Sequence, residues 1–135
     1  MRAVPDVNIL IAALLSPSGA PAQILSGWLA GEFELVVSRK LLAELEQALS
    51  YPKLRRRISA TDATTFVNLL RNGARIAADP HPVAPRSADP NDDYLLALAE
   101  SEHAILISGD RHLLALADDL PVQDPRTFLE NIART

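Results

Sequence analysis

Short apolar runs alternate with longer stretches of helical periodicity along the whole chain, and this alternation constrains the fold most. Strands are predicted at residues 2–6, 34–37, 75–78, 104–108 and 122–123. Helices are predicted at residues 8–15, 21–30, 39–50, 61–72, 90–102, 111–117 and 125–134. Strands separated by helices favour a parallel sheet with helices on both faces. The sequence therefore predicts an α/β fold.

The composition narrows the class of protein. A chain of 135 residues suits one domain, residues 1–135, that buries its own core. The absence of cysteine excludes disulfides, thiolate catalysis and cysteine-ligated zinc, and it fits a cytoplasmic location. No apolar run is long enough to span a membrane. The net charge of −4 argues mildly against a nucleic-acid coat protein but is compatible with a nuclease.

Four acidic residues occupy positions that an α/β fold brings together. Asp6 and Asp110 each end an apolar run, Asp92 opens a predicted helix, and Glu44 lies within another. Strand ends and helix starts share the carboxyl edge of a parallel sheet, where such folds bind ligands. Clustered carboxylates need a cation to offset their repulsion, and oxygen ligands suit Mg²⁺ or Mn²⁺. The pattern predicts a metal site.

Each acid also has a purely structural interpretation. Asp6 and Asp110 can cap the helices that follow them, and Asp92 falls at a third helical position that favours an acid. Glu44 and Glu46 flank the predicted buried stripe of their helix almost symmetrically, so periodicity does not choose between them. Four acids placed in this order for four unrelated structural reasons are less probable than four acids that share one site. This favours the metal site.

The segments around these acids resemble the PIN domain, in particular the branch related to the VapC toxins of toxin–antitoxin pairs. The resemblance rests on Asp6-Val7-Asn8-Ile9-Leu10, Leu42-Ala43-Glu44-Leu45, residues 89–99 and Ile107-Ser108-Gly109-Asp110. It implies a three-layer α/β/α sandwich around a parallel sheet of four or five strands. It also implies Mg²⁺- or Mn²⁺-dependent hydrolysis of RNA. The catalytic metal ligands that it implies are Asp6, Glu44, Asp92 and Asp110.

Three polar residues beside this set are expected to support it. Asn8 and Ser108 match polar positions of the family pattern, and Asp93 is expected to lie on the solvent side of its helix or to support the ligands indirectly. Pro5 and Val7 depart from the usual residues on either side of the first aspartate. Because proline lacks a strand donor, Pro5 favours an end of the first strand at Val4.

A basic run provides the candidate contact with RNA phosphates. Its members are Lys53, Arg55, Arg56 and Arg57. Lysine and arginine neutralise phosphates and so bind nucleic acid without reading its sequence. A solvated helix end is an equally common role for such a run, and both interpretations stay open.

The resemblance also implies partners: an RNA substrate, a cognate antitoxin protein and a second copy of the chain in a homodimer. The alternative function is a catalytically impaired PIN-like module that binds nucleic acid or protein, and Pro5 and Val7 are the residues that favour it. A phospho-acceptor receiver domain is excluded, because Val7 replaces the acid expected after Asp6 and residues 51–57 contain no acid.

Overall fold

The structure, a computed structural model, describes residues 1–134. The described residues form five strands: β1 (Arg2–Pro5), β2 (Glu34–Ser38), β3 (Arg75–Ala77), β4 (Ile105–Ile107) and β5 (Val122–Gln123). They also form eight helices: α1 (Val7–Leu15), α2 (Ala20–Leu29), α3 (Arg39–Leu49), α4 (Pro52–Arg55), α5 (Ala60–Gly73), α6 (Pro90–Ser101), α7 (Arg111–Leu114) and α8 (Pro125–Ala133).

All five strands are parallel and lie in the order β3-β2-β1-β4-β5. Because crossovers between parallel strands are right-handed, we expect α1 to α5 on one face of this sheet and α6 and α7 on the other. The helix contacts agree, since α1 packs on α2 and α3, α3 packs on α5, and α6 packs on β1 and β4. The predicted α/β/α sandwich around a parallel sheet is confirmed, with five strands.

The first strand does not end at Val4, as Pro5 had suggested, but includes Pro5 itself. Pro5 pairs with Ile107 of β4, and the next amide, that of Asp6, donates to the Ile107 carbonyl at 3.0 Å. Since successive residues of a strand point to opposite sides, the Pro5 nitrogen faces β2. Pairing with β2 has already ended at Ala3, opposite Leu35, so no ladder hydrogen bond is lost.

The predicted helix at residues 111–117 is shorter than expected and ends at Leu114. Beyond it the amides of Leu116 and Ala117 donate to Leu113 and Leu114, three residues back. Such bonds tighten the chain into turns, which lead it into β5. No single helix of the described residues is long and apolar enough to cross a membrane, whereas α1 and α2 together have the length and composition but are bent by 97°.

Candidate metal centre at the carboxyl edge of the sheet

The candidate site lies where the strand order reverses. Asp6 directly follows β1, and Ser108-Gly109-Asp110 follows the neighbouring strand β4. From β1 the chain crosses to β2 on one side, whereas β4 continues to β5 on the other. Such a reversal opens a crevice at the carboxyl ends of the strands. The sheet therefore places Asp6 and Asp110 at the position where α/β folds bind ligands.

Asp6 is buried and anchored by the helix that it starts. One carboxylate oxygen, Oδ1, accepts the Ile9 amide at 2.9 Å and caps α1, while 7% of the residue is exposed. Burial raises the pKa of Asp6, hydrogen bonds from Ser108 and Ile9 oppose that rise, and the charge of Asp110 adds to it. The cap uses only Oδ1, so capping of α1 is compatible with the prediction that Asp6 is a metal ligand.

In the part of the chain that the structure describes, Asp92 receives no hydrogen bonds of the kind that offset the burial of the Asp6 carboxylate. It is 9% exposed, and its carboxylate accepts no hydrogen bond within residues 1–134. Burial raises its pKa, and the charges of Asp89, Asp110, Asp6 and Asp93 raise it further. Asp92 therefore faces the same crevice as Asp6 and Asp110, and it does not cap its own helix.

Asp110 and Ser108 join the two sides of the crevice. The Asp110 carboxylate accepts the His112 amide at 2.8 Å and caps α7. The Asp110 amide donates to the fully buried Ser108 hydroxyl at 3.0 Å. Because that hydroxyl also hydrogen-bonds to Asp6 and lowers its pKa, Ser108 links the Asp6 carboxylate to the main chain of Asp110. The supporting role of Ser108 toward a metal stays a prediction.

Asp93 is not on the solvent side of α6, as one expectation had it, but 5% exposed. Its Oδ1 accepts the amides of Arg86 and Ser87 at 2.9 and 2.7 Å and the Ser87 hydroxyl at 2.9 Å. The Arg86 amide, the largest cause, together with Ser87 lowers the Asp93 pKa against the effect of burial. The proline-rich loop before α6 folds back over the helix start, which buries Asp93. Asp93 therefore fastens this loop beside Asp92.

The remaining predicted residues lie around this group. Glu44 is half-buried on α3, and its charge acts on the Tyr94 hydroxyl of α6. Asn8 is exposed and contributes a backbone amide to Asp6. Asp6, Asp92 and Asp110 thus act on one another electrostatically, whereas the electrostatic effect shown for Glu44 is on Tyr94.

The basic run lies away from the acids. Lys53, Arg55, Arg56 and Arg57 are all exposed and follow the far end of α3. Since α3 has 11 residues, that end is about 16 Å from the sheet edge at which the helix begins. Arg55 also lines a cleft between α3 and α5 in which Arg71 pairs with Glu46 at 2.6 Å.

The chemistry of the candidate ligands suits a hard divalent ion, although the acids lie too far apart to share one ion. All its donors are carboxylate oxygens, which Mg²⁺ and Mn²⁺ prefer. Asp6 and Asp92 have raised pKa values, as expected of buried acids that lack a counter-charge. Among the described residues, however, no three carboxylate or imidazole groups already lie close enough to share one ion. An open cleft of about 330 Å³ adjoins Asp92, Asp110 and His112.

Sequence reasoning missed a hydroxyl network beside the acids. The Tyr94 hydroxyl donates to Asp79 at 2.6 Å and contacts the Ser38 hydroxyl. Asp79 follows β3 as Asp6 follows β1, and this shared position at a strand end was the signal that could have identified it. Nothing in the local pattern distinguished Tyr94, because it begins the apolar run Tyr94-Leu95-Leu96 and fits the buried core of α6.

The comparison with protein families finds a match over most of the chain. The sequence pattern described as "PIN domain" matches residues 2–112. That range includes Asp6, Glu44, Asp92 and Asp110 and stops before β5 and α8. A relative in Methanocaldococcus jannaschii, "Uncharacterized protein MJ1680", is 24% identical over 144 residues, which cover 99% of this chain and 93% of the relative.

Solved structures share the fold at low sequence identity. PAE2754 from Pyrobaculum aerophilum has a TM-score of 0.70 and 19% identity, with 100% of this chain and 91% of the other covered. VapBC2 from Rickettsia felis, bound to a DNA fragment from their promoter, has a TM-score of 0.64 and 15% identity, with coverage of 92% and 98%. FitAcB from Neisseria gonorrhoeae has a TM-score of 0.60 and 18% identity, with the same coverage.

Proposed function

The chain belongs to the PIN domain family, and from that premise we propose that it is a divalent-metal-dependent endoribonuclease, the toxin of a toxin–antitoxin pair. The observation that carries the proposal is the mutual electrostatic effect of three acids from three elements at the carboxyl ends of the strands. Asp6, Asp92 and Asp110 act on one another electrostatically, and no cationic side chain of residues 1–134 pairs with them. Such a group is costly to the fold unless a ligand uses it.

Asp6, Asp92 and Asp110 would hold Mg²⁺ or Mn²⁺, and Glu44 is the fourth ligand that the family resemblance implies. When bound, such an ion supplies Lewis acidity that activates water and offsets phosphate charge. The chain itself positions the donors. The start of α1 fixes one oxygen of Asp6, Ser108 links Asp6 to Asp110, and the loop held by Asp93 stands beside Asp92.

RNA is the proposed substrate, and the open cleft beside the acids supports it. A single strand or a loop presents its backbone to an open cleft more readily than a duplex does. Lys53, Arg55, Arg56 and Arg57 are exposed, which suits contact with phosphates distant from the scissile bond. These residues would add affinity and leave the chemistry to the acids.

Two protein partners are proposed on the same basis. An antitoxin segment bearing arginine or lysine would enter the acidic crevice and take the place of the metal. A second copy of the chain would dock through the early helices, where Leu29 of α2 is 60% exposed. Co-expression with a neighbouring small DNA-binding protein, followed by size-exclusion chromatography with light scattering, tests both. A chain that stays monomeric and binds no such neighbour would contradict them.

The activity is tested with end-labelled RNA, purified protein and either Mn²⁺, Mg²⁺ or a chelator. We expect internal cleavage with metal, none with chelator, and none from Asp110→Asn, which keeps a side-chain oxygen for the cap of α7. Equal cleavage by wild type and this variant would identify a contaminating nuclease.

The alternative function is a PIN-like module that binds nucleic acid or protein without catalysis. One observation favours it: within residues 1–134, no three acidic or histidine side chains lie close enough together to hold one metal ion. RNA binding with no cleavage under any metal would support this alternative.

A further inference from the structure

A continuous chain of hydrogen bonds joins three segments beside the acid crevice. Because the single Tyr94 hydroxyl proton goes to Asp79 at 2.6 Å, the Ser38 hydroxyl donates to the Tyr94 oxygen. Ser38 in turn accepts the Leu41 amide at 3.2 Å and caps α3. We call Ser38, Tyr94 and Asp79 the hydroxyl relay. Its direction is set from Leu41 through to the Asp79 carboxylate.

The hydroxyl relay connects the two helices that carry proposed ligands. Ser38 ends β2 and caps α3, the helix of Glu44, whereas Tyr94 lies on α6 two residues after Asp92. Asp79 anchors both from the segment after β3, since its second oxygen also accepts the Lys40 amide at 3.4 Å. No direct side-chain hydrogen bond joins Glu44 to Asp92 in the described residues. The hydroxyl relay is thus the polar link between their helices.

The surroundings make this link stiff. Ser38 is fully buried and Tyr94 is 3% exposed, so their hydroxyls have little water to exchange with. The Lys40 ammonium lies 4.1 Å from the centre of the Tyr94 ring, and a cation over a ring face attracts it. Partial burial opposes ionisation of Asp79, but the hydrogen bond from Tyr94 lowers its pKa and keeps it an acceptor.

We propose that Tyr94 is a positioning residue whose hydroxyl fixes α6 against the start of α3, and so sets the separation of Asp92 from Glu44 for metal binding. The inference rests on the proposed function, because it assigns both acids to one ion. Outer hydrogen bonds that orient metal ligands commonly change metal affinity by about 10- to 100-fold. Here the hydroxyl relay orients the helices that carry the proposed ligands. Because no three acids of the described residues already lie close enough to hold one ion, the separation of Asp92 from Glu44 determines the metal affinity.

The test is the affinity of the purified full chain for Mn²⁺ alone, measured by titration calorimetry well below the melting temperature. Tyr94→Phe removes one oxygen from a buried ring, and we expect its Mn²⁺ dissociation constant to rise about tenfold. Tyr51→Phe is the matched control, because Tyr51 is the other tyrosine of the chain and is 53% exposed. Its Mn²⁺ affinity should equal that of the wild type.

A second pair of variants separates positioning from general stability. Asp79→Asn keeps an oxygen acceptor for Tyr94 and should retain most of the Mn²⁺ affinity, whereas Asp79→Ala should lose as much as Tyr94→Phe. A Tyr94→Phe protein with a lower melting temperature but wild-type Mn²⁺ affinity would overturn the inference, since the hydroxyl would then only stabilise the fold. Wild-type protein that binds no Mn²⁺ would overturn the proposed function first, and this inference with it.

Discussion

Among the described residues, the acids at the amino edge of the sheet, where the strands begin, are paired with cations, whereas three acids at the carboxyl edge, where the strands end, are not. At the amino edge, Glu102 lies 2.6 Å from Arg75 and 3.8 Å from Arg2, and Glu34 lies 3.6 Å from Arg2 and 4.0 Å from Arg75. Each acid there has two cations. At the carboxyl edge, Asp6, Asp92 and Asp110 have no cationic partner among the described residues. The chain therefore pairs its acids with cations at the amino edge and leaves three of the described acids unpaired at the carboxyl edge, where we propose that a metal binds.

The strongest test of this contrast separates two adjacent acids of α6. Asp92→Ala removes an uncompensated ligand and should lower RNA cleavage by several orders of magnitude. Asp93→Ala removes the anchor of residues 86–87 and should lower cleavage about tenfold, because the loop beside Asp92 loosens. Cleavage rates at one Mn²⁺ concentration decide between them. If Asp93→Ala is the inactive variant, the ligand assignment on α6 is wrong.

The basic run offers a test away from both edges. Reversing the charges of Arg55, Arg56 and Arg57 should raise KM and flatten the salt dependence of cleavage while kcat changes little. The reason is distance, since these residues follow the end of α3 that lies about 16 Å from the carboxyl ends of the strands. Steady-state kinetics at several salt concentrations measure the effect. A large loss of kcat at constant KM would place the run at the reacting centre instead.

Removing one acid from each edge should change stability with opposite sign. In metal-free protein, Asp92→Asn should raise the melting temperature at neutral pH, because it removes a buried charge that its neighbours repel. Glu102→Gln should lower it slightly, because Arg2 and Arg75 lose a partner. Thermal melts with a chelator present measure both. Shifts of the same sign would break the comparison between the edges.

The pH dependence sharpens the same comparison with a smaller effect. Because the folded pKa of Asp92 lies above its ordinary value of 3.8, its protonation stabilises the fold below 3.8, and this stability is lost as pH rises through the raised pKa. The advantage of Asp92→Asn should therefore be full at neutral pH and shrink as the pH falls toward 3.8. Melts across that window give the difference. A constant advantage at every pH would contradict the raised pKa.

Much of this arrangement could be predicted from the sequence, because period and strand-end position are local signals. The alternation of apolar runs gave the parallel sheet, and the strand ends located Asp6 and Asp110. The predicted end of β1 at Val4 was wrong. A strand can include proline where the proline nitrogen faces no hydrogen-bonding partner, and only the sheet register decides which strand that nitrogen faces. Local patterns contain no information about register.

Contacts between distant segments were the other part that the sequence did not disclose. Asp93 is buried by a loop whose path is set by tertiary packing, so its helix position alone suggested exposure. The hydroxyl relay joins Ser38 to Tyr94 across 56 positions of the chain. A contact between side chains so far apart in the chain produces no periodic pattern in the sequence. The role of Glu44 as a ligand stays a prediction.

The central claim, that the carboxyl edge holds a divalent ion, is tested most directly by melting wild type, Asp6→Asn, Asp110→Asn and Glu102→Gln with and without Mn²⁺. An ion bound only by the folded state stabilises it by RT ln(1 + [Mn²⁺]/Kd), about 2.7 kcal/mol at 100 times Kd. The account predicts this shift for wild type and for Glu102→Gln, and its loss in both aspartate variants. An unchanged shift in Asp6→Asn and Asp110→Asn would contradict the account.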